Sequence, residues 1–222
     1  MDVRDILHKA PLFRGMDDDE ISRVLEHLAC YERSYAKGTT ILDAGEFTDH
    51  FGILEEGTLT VEQNDFWGNR NLMAQLVPGL IFAESFACSF PRTTLAVSVV
   101  AASDVRVLWV DGRKLSGRGS VPEDVWNRFI TNFMTVLSNK NVRFNEKVSH
   151  MGMRTTREKL LSYLSLESRK QKSESFDIPY NRQELADYLG VERSAMSTAL
   201  GALKRDGLID FDKSHFELKE RV

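Results

Sequence analysis

Asn181–Ile209 reads NRQELADYLGVERSAMSTALGALKRDGLI, and its spacing predicts two short helices joined by a tight turn. Asn181 stands at an N-cap position with Glu184 three residues on, the pairing in which each side chain satisfies a backbone N–H of the other. Leu185, Ala186 and Leu189 give the first helix one apolar face. Gly190 can take the left-handed backbone that ends many helices. Gly207 holds the equivalent place after a second helix over about Arg193–Asp206. That second helix carries two stripes. Met196, Leu200 and Leu203 recur at helical spacing and face inward. Arg193, Ser194, Ser197 and Thr198 lie opposite, with Lys204 and Arg205 at the far end. An ordinary helical hairpin would turn such a face to water alone. An arginine leading a row of short hydroxyls also suits the DNA major groove, where Arg reaches guanine O6 and N7 with two bonds and Ser or Thr pairs with several base edges.

Arg182-Gln183-Glu184-Leu185-Ala186, Gly190, Arg193 and Gly207-Leu208-Ile209 carry a resemblance to the winged helix-turn-helix of the Crp/Fnr family of bacterial transcription regulators. The resemblance implies a DNA-binding transcription regulator, with double-stranded DNA, a second copy of the chain and RNA polymerase as partners. A two-fold homodimer would set its second helices in successive major grooves about one DNA turn apart, on a near-palindromic operator. By alignment with the family, Arg193, Ser194 and Thr198 fall at base-reading positions, and Ser197 joins them on the helical face alone. Asn181 and Arg182, at a helix N-terminus, are expected to hold phosphate. Two residues depart from the family pattern: Ser194 replaces an acidic reader, and Glu192 replaces the usual serine cap. The preferred DNA sequence should therefore differ from that of the best-known members.

The chain has 222 residues, enough for one large domain or two modest ones, and 42% hydrophobic residues to fill their cores. A net charge of −4 looks wrong for a DNA binder until the chain is divided. Residues 1–150 carry −5 and residues 151–222 carry +1. Charge that modest points to binding through dimerisation and base contacts more than bulk attraction. The apolar run Leu95–Ala102 is far too short to cross a bilayer, and no signal peptide is visible, so a cytoplasmic protein with no membrane partner is expected. Cys30 and Cys88 are the only cysteines, which fits a reducing compartment.

Taken in order, residues 1–30 read as helical, with Asp17 and Glu20 at capping-box spacing. From Gly38 to about Val110 short strands alternate with turns: Thr39–Leu42, His50–Leu54, Thr58–Glu62, Leu72–Leu76, Leu95–Val100 and Val105–Val110, with a polar turn at Gly68-Asn69. Many short strands of this kind indicate a sandwich or jelly roll. Gly45, Gly57 and Gly79 fall at turn positions of the family's effector domain, a double-stranded β-helix of cyclic-nucleotide-binding type. Trp126, Ile130, Phe133, Leu137, Phe144, Val148 and Met151 then follow an a/d-like rhythm broken by Lys140 and Asn141, a seam suited to a dimer. Gly152 is placed as a hinge, Thr155 and Glu158 cap a further helix, and Leu208–Phe211 with Phe216–Leu218 read as the wing hairpin. The expected fold is α+β: a β-roll (jelly-roll) effector domain at 1–122, a dimerisation helix and hinge at 123–151, and a winged helix-turn-helix at 152–222.

Family members that bind cyclic AMP hold it with a Gly-Glu pair and an Arg-Ser/Thr pair. Here Ala83-Glu84 and Arg92-Thr93 form the tentative effector pocket. Ala83 puts a Cβ where the family has glycine, and the spacing from Glu84 to Arg92 is shorter than in the cyclic-nucleotide binders. Arg92 is accordingly expected on a surface loop. The alternative readings are a cyclic-nucleotide-responsive regulator using these residues and a ligand-binding protein with no DNA role. An iron–sulfur cluster of Fnr type needs four thiolates and is excluded by two cysteines. His8, His27, His50, His150 and His215 leave haem open, and the small-molecule effector has no signature in the sequence. Cys88 is expected as a small buried hydrophobe. An enzyme is not expected: Gly112–Gly119 has the glycine spacing of a phosphate loop without the lysine and hydroxyl that reach phosphate and magnesium.

Overall fold

The computed structural model describes residues 3–64 and 70–219. In chain order these form α1 (Val3–Lys9), a 3-10 turn (Pro11–Phe13), α2 (Asp18–His27), β1 (Tyr31–Tyr35), β2 (Thr40–Leu42), β3 (His50–Glu56), β4 (Leu59–Asn64), β5 (Arg70–Leu76), β6 (Ile81–Phe82) and α3 (Glu84–Ala87). There follow β7 (Ser98–Ala101), β8 (Val105–Asp111), a second 3-10 turn (Gly112–Ser116), α4 (Glu123–Met151), α5 (Thr156–Gln171), β9 (Ser175–Asp177), α6 (Arg182–Leu189), α7 (Arg193–Arg205), β10 (Ile209–Asp212) and β11 (His215–Leu218). The chain divides into two compact units, Met1–Leu137 and Ser138–Val222. The division falls inside α4 because the last turns of that helix pack on α5 and α6.

The first unit holds two four-stranded antiparallel sheets, in the orders β1-β8-β3-β6 and β2-β7-β4-β5. Strand β8 shows how they share side chains. Val105, Val107 and Trp109 join Leu54, Leu59, Phe82 and Val99 in a core built from both sheets. Leu108 and Val110, on the opposite face, join Leu12, Phe13, Ile21 and Phe129 under the helices. Because both faces are covered, β8 is nearly all buried and reads as a continuous apolar run. Gly57 makes the turn between β3 and β4 at φ +82°, and a Cβ there would lie 2.2 Å from the Asp104 carbonyl oxygen, so no other residue fits. Two strands had no sequence signal. β1 is almost fully exposed along its length, and β6 is two residues long. The turn expected at Gly68-Asn69 lies outside the described residues.

Helix α4 corrects the expected seam. Trp126 and Phe133 belong to the core of their own unit, with Val125 and Phe129. Met134, Val142, Phe144, Val148 and Met151 are exposed. The helix therefore has two apolar faces where the sequence reading drew one line. Ile130, Met134, Leu137, Asn141, Phe144, Val148 and Met151 recur at alternating steps of four and three, a heptad pattern with Asn141 at a core position.

The second unit packs α5, α6 and α7 around Leu164, Leu185, Leu189, Met196, Leu200 and Leu203, with the sheet β10-β11-β9 closing one side through Phe176 and Phe216. Each of those aliphatic side chains contributes about 1.5–3 kcal/mol by leaving water. Thr155 caps α5 through a reciprocal box with Glu158, as its spacing predicts.

Candidate nucleic-acid interface

Helix α6 starts where its cap is strongest. The Glu184 N–H donates to Asn181 Oδ1 at 3.0 Å, and the Asn181 N–H donates to Glu184 Oε2 at 2.7 Å. The N–H groups of Arg182 and Gln183, in the same first turn, have no helical carbonyl to bond and point out of the helix end. Gly190 then terminates α6 at φ +60°. Helix α7 begins at Arg193 after Glu192, whose side chain makes no capping hydrogen bond. It is held instead by Met196, Leu200 and Leu203, all essentially inaccessible.

The opposite stripe of α7 stands in solvent. Arg193, Ser194, Ser197 and Thr198 are exposed, and among the described residues no ion pair or ring contact engages the Arg193 guanidinium. The Ser197 hydroxyl donates to the Arg193 carbonyl at 2.9 Å, and the Thr198 hydroxyl to the Ser194 carbonyl at 3.0 Å. Those hydroxyls face outward as acceptors, their protons engaged one turn back.

The wing reaches the same side. Asn181, Arg182, Gln183, Arg193, Lys213 and Ser214 line a concavity of about 610 Å³. Lys213 occupies the hairpin turn at φ +50°. The sequence reading placed a hairpin here and missed its lysine, although a cation at a wing tip was visible in Asp212-Lys213-Ser214-His215. The Arg182 guanidinium lies 4.8 Å from the Phe211 ring centroid and 5.1 Å from that of Phe216, on the wing itself. Burial lowers its pKa from the ordinary arginine value. Lys204 pairs with Asp210 and sits over Phe211, so its charge braces the wing.

The tentative effector residues have the opposite character. Ala83 adopts φ +63°, the backbone that the family's glycine would favour, directly before α3. Glu84 is buried. Arg92 is a surface residue whose guanidinium lies 2.8 Å from Asp49 and 5.2 Å from the Phe47 ring centroid. Thr93 is engaged locally: its N–H donates to Ser89 Oγ at 3.3 Å and its hydroxyl to the Pro91 carbonyl at 3.3 Å. Cys88 corrects the expectation of a buried hydrophobe, because it is exposed. Protein packed on its inner side, with the Glu84 carboxylate, still pushes the thiol up to about 11.

Residues 32–117 match the family model of the cyclic nucleotide-binding domain, and residues 158–221 that of the Crp-like helix-turn-helix domain, together well over half of the chain. Over 213 residues the chain is 28% identical to the transcriptional activator protein FnrL of Cereibacter sphaeroides, covering 92% of this chain and 81% of FnrL. The chain belongs to the Crp/Fnr family of transcription regulators. Its fold is shared with the Catabolite Activator Protein of Thermus thermophilus, at 20% identity and a TM-score of 0.51 over 95% of this chain and 94% of that one. It is also shared with the c-di-GMP responsive global regulator CLP of Xanthomonas campestris, at 17% identity and a TM-score of 0.60 over 92% and 100%.

As a Crp/Fnr-type transcriptional regulator the chain joins an effector-binding domain to a helix-turn-helix DNA-binding domain. The family consists of transcription regulators rather than enzymes. The phosphate-loop look of Gly112–Gly119 has a local explanation: Asp111 accepts from the Arg113 N–H at 3.0 Å, so a carboxylate caps the turn where a phosphate loop would leave its N–H groups for the ligand. Among the described residues no helix is long and apolar enough to cross a membrane.

Proposed function

We propose that the protein is a cytoplasmic homodimeric regulator that reads a near-palindromic operator with α7 in the major groove. The observation that carries this reading is the division of α7 into a buried Met196-Leu200-Leu203 stripe and an exposed Arg193-Ser194-Ser197-Thr198 stripe. Arg193 supplies a bidentate donor for guanine. The hydroxyls of Ser197 and Thr198, with their protons on backbone carbonyls, accept from cytosine N4 or adenine N6, and Ser194 serves either edge. Asn181 and Arg182 hold a phosphate through the open end of α6, and Lys213 meets the neighbouring backbone as a point charge. The Arg182 guanidinium meanwhile keeps the wing against α6.

Dimerisation is assigned to the heptad face of α4, exposed at Met134, Asn141, Phe144, Val148 and Met151 and half-buried at Ile130 and Leu137, with Asn141 setting register at some cost in stability. The domains then run as an effector β-roll over 1–122, the dimer helix over 123–151 and the winged helix-turn-helix over 152–222, with RNA polymerase as partner at promoters. The effector is a small molecule received by the β-roll. A cyclic nucleotide is the second reading, favoured by the left-handed backbone of Ala83 beside buried Glu84. It is opposed by the Arg92–Asp49 pair, which occupies the arginine that a cyclic phosphate would need.

Sedimentation and duplex-DNA binding of the full chain at two salt concentrations test the proposal. A dimer whose DNA affinity falls with salt, with the shallow slope of a few phosphate contacts, is expected. A strict monomer, or no duplex binding even at low salt, overturns it.

A further inference from the structure

The end of α4 is fastened to the DNA-binding unit by a polar cluster that the reading of DNA does not use. His150 is 2% exposed, and its Nδ1 lies 2.8 Å from Ser162 Oγ on α5. Its ring meets Tyr163 edge-on at 5.8 Å and lies 6.3 Å from Tyr188 on α6. Tyr180 completes the cluster, stacked at 5.0 Å on Tyr188. One turn before His150, Glu146 pairs at 2.8 Å with Lys170, which also meets Glu167 at 3.2 Å. Lys147 lies over the Tyr188 ring. These contacts join α4 to α5 and α6, the helices against which α7 packs.

We propose that His150 is a positioning residue for operator binding: it pins the last turn of α4 to α5 at Ser162, so that the dimer helix sets the direction of α7. The proposal rests on the dimeric reading above. A two-fold dimer engages two half-sites only if each α7 leaves the dimer helix at one fixed angle. Exposed ion pairs hold long side chains loosely. A buried imidazole packed against two aromatic rings and bonded to a hydroxyl has few alternative poses, and it sits at the place where an angle must be fixed.

The same burial makes the pin sensitive to charge. Nε2 of His150 and the Tyr163 hydroxyl are buried with no partner among the described protein groups. A proton added at Nε2 would therefore meet no acceptor. Burial and Lys170 hold the His150 pKa below its ordinary value, while Glu146 and Glu167 pull the other way. The remaining groups around the cluster are Lys147, with Tyr163, Tyr180 and Tyr188, whose hydroxyls burial keeps protonated, and Arg143 near Tyr180. A group with a depressed folded pKa binds its proton first in the freed state. The pin therefore weakens as pH falls through the ordinary histidine range.

The test uses the full chain and compares a two-half-site operator with a single half-site. His150→Ala and Ser162→Ala are expected to weaken the full operator about tenfold and the half-site by less than about twofold, the loss of one buried hydrogen bond appearing only where two heads must align. His150→Asn, which can restore the bond from the Nδ1 position, is expected to recover most of the affinity at neutral pH. It should also remove the fall in wild-type affinity between about pH 7 and pH 5.5. Wild-type affinity for the full operator in both alanine variants overturns the proposal. So does equal weakening of operator and half-site, or an acid profile unchanged in His150→Asn. A wild-type chain that binds neither DNA overturns the dimeric reading beneath it instead.

Discussion

The β-roll unit and the outer stripe of α7 use charged side chains in opposite ways. In the β-roll unit they are turned toward one another: Arg106 bridges Glu55 and Glu56, Arg92 meets Asp49, and Arg113 meets Asp111. On the outer stripe of α7, Arg193 faces water with no ion pair or ring contact among the described residues, and the hydroxyls of Ser197 and Thr198 donate back to their own helix and leave their acceptor sides outward. The first arrangement fixes a fold, and the second waits for a ligand. The difference also separates two Arg-hydroxyl pairs that look alike in sequence. Arg92-Thr93 and Arg193-Ser194 carry similar chemistry and both lie at the surface, yet the Arg92 guanidinium is already held by Asp49.

The largest effect that could break this contrast lies at Glu55. Its side chain is inaccessible, and burial, with Glu32 and Glu56 in support and Arg106 opposed, raises its carboxyl to about 7. The folded protein thus keeps a proton that the unfolded chain releases near 4.5. Stability should fall as pH rises through that window, with the full cost present above about pH 7. Glu55→Gln should flatten that fall, which amounts to at most about 3 kcal/mol, in melts of the full chain between pH 5 and pH 8. An unchanged slope means that this carboxylate is not buried in solution.

Next in size is Arg193→Ala, expected to cost about 1–3 kcal/mol of operator binding and to relax discrimination at one base pair, with the melting profile kept. Binding titrations on matched and mismatched duplexes check it, and unchanged affinity and selectivity would remove Arg193 as a reader. Asn181→Ala should lower the stability of the second unit by about 1 kcal/mol through the lost cap. Chemical denaturation measures that loss. Smallest is Arg92→Ala, which breaks an exposed pair and should move stability by less than about 1 kcal/mol, leaving operator affinity alone. A large loss of operator affinity in that variant would place Arg92 in the effector response and sharpen the cyclic-nucleotide reading.

What the sequence disclosed follows from where its information is local. The Asn181–Glu184 box, Gly190 and the two stripes of α7 each depend on residues within a turn or two, and all were legible in spacing. The strands of the β-roll were legible where their apolar residues alternate or run together. β1 was not, because Tyr31–Tyr35 is an exposed edge with no apolar rhythm. The α4 seam was drawn through Trp126 and Phe133 because both are apolar at heptad-like spacing. Only the fold reveals that the helix serves its own core with one face and leaves another open. Lys213 stood in the turn of the expected wing hairpin, whereas the Arg182 stack and the exposure of Cys88 depended on the path of the folded chain.

The central claim is that two copies of α7, held by one dimer helix pair, read matched edges of duplex DNA. Selection of binding sites from a randomised duplex library by the full-length protein addresses it most directly. Two inverted copies of one short sequence with centres about 10–10.5 base pairs apart are expected, with loss of one guanine preference when Arg193→Ala is used in place of wild type. Enrichment of no sequence, of single unpaired half-sites, or of the same sites by both proteins would contradict it.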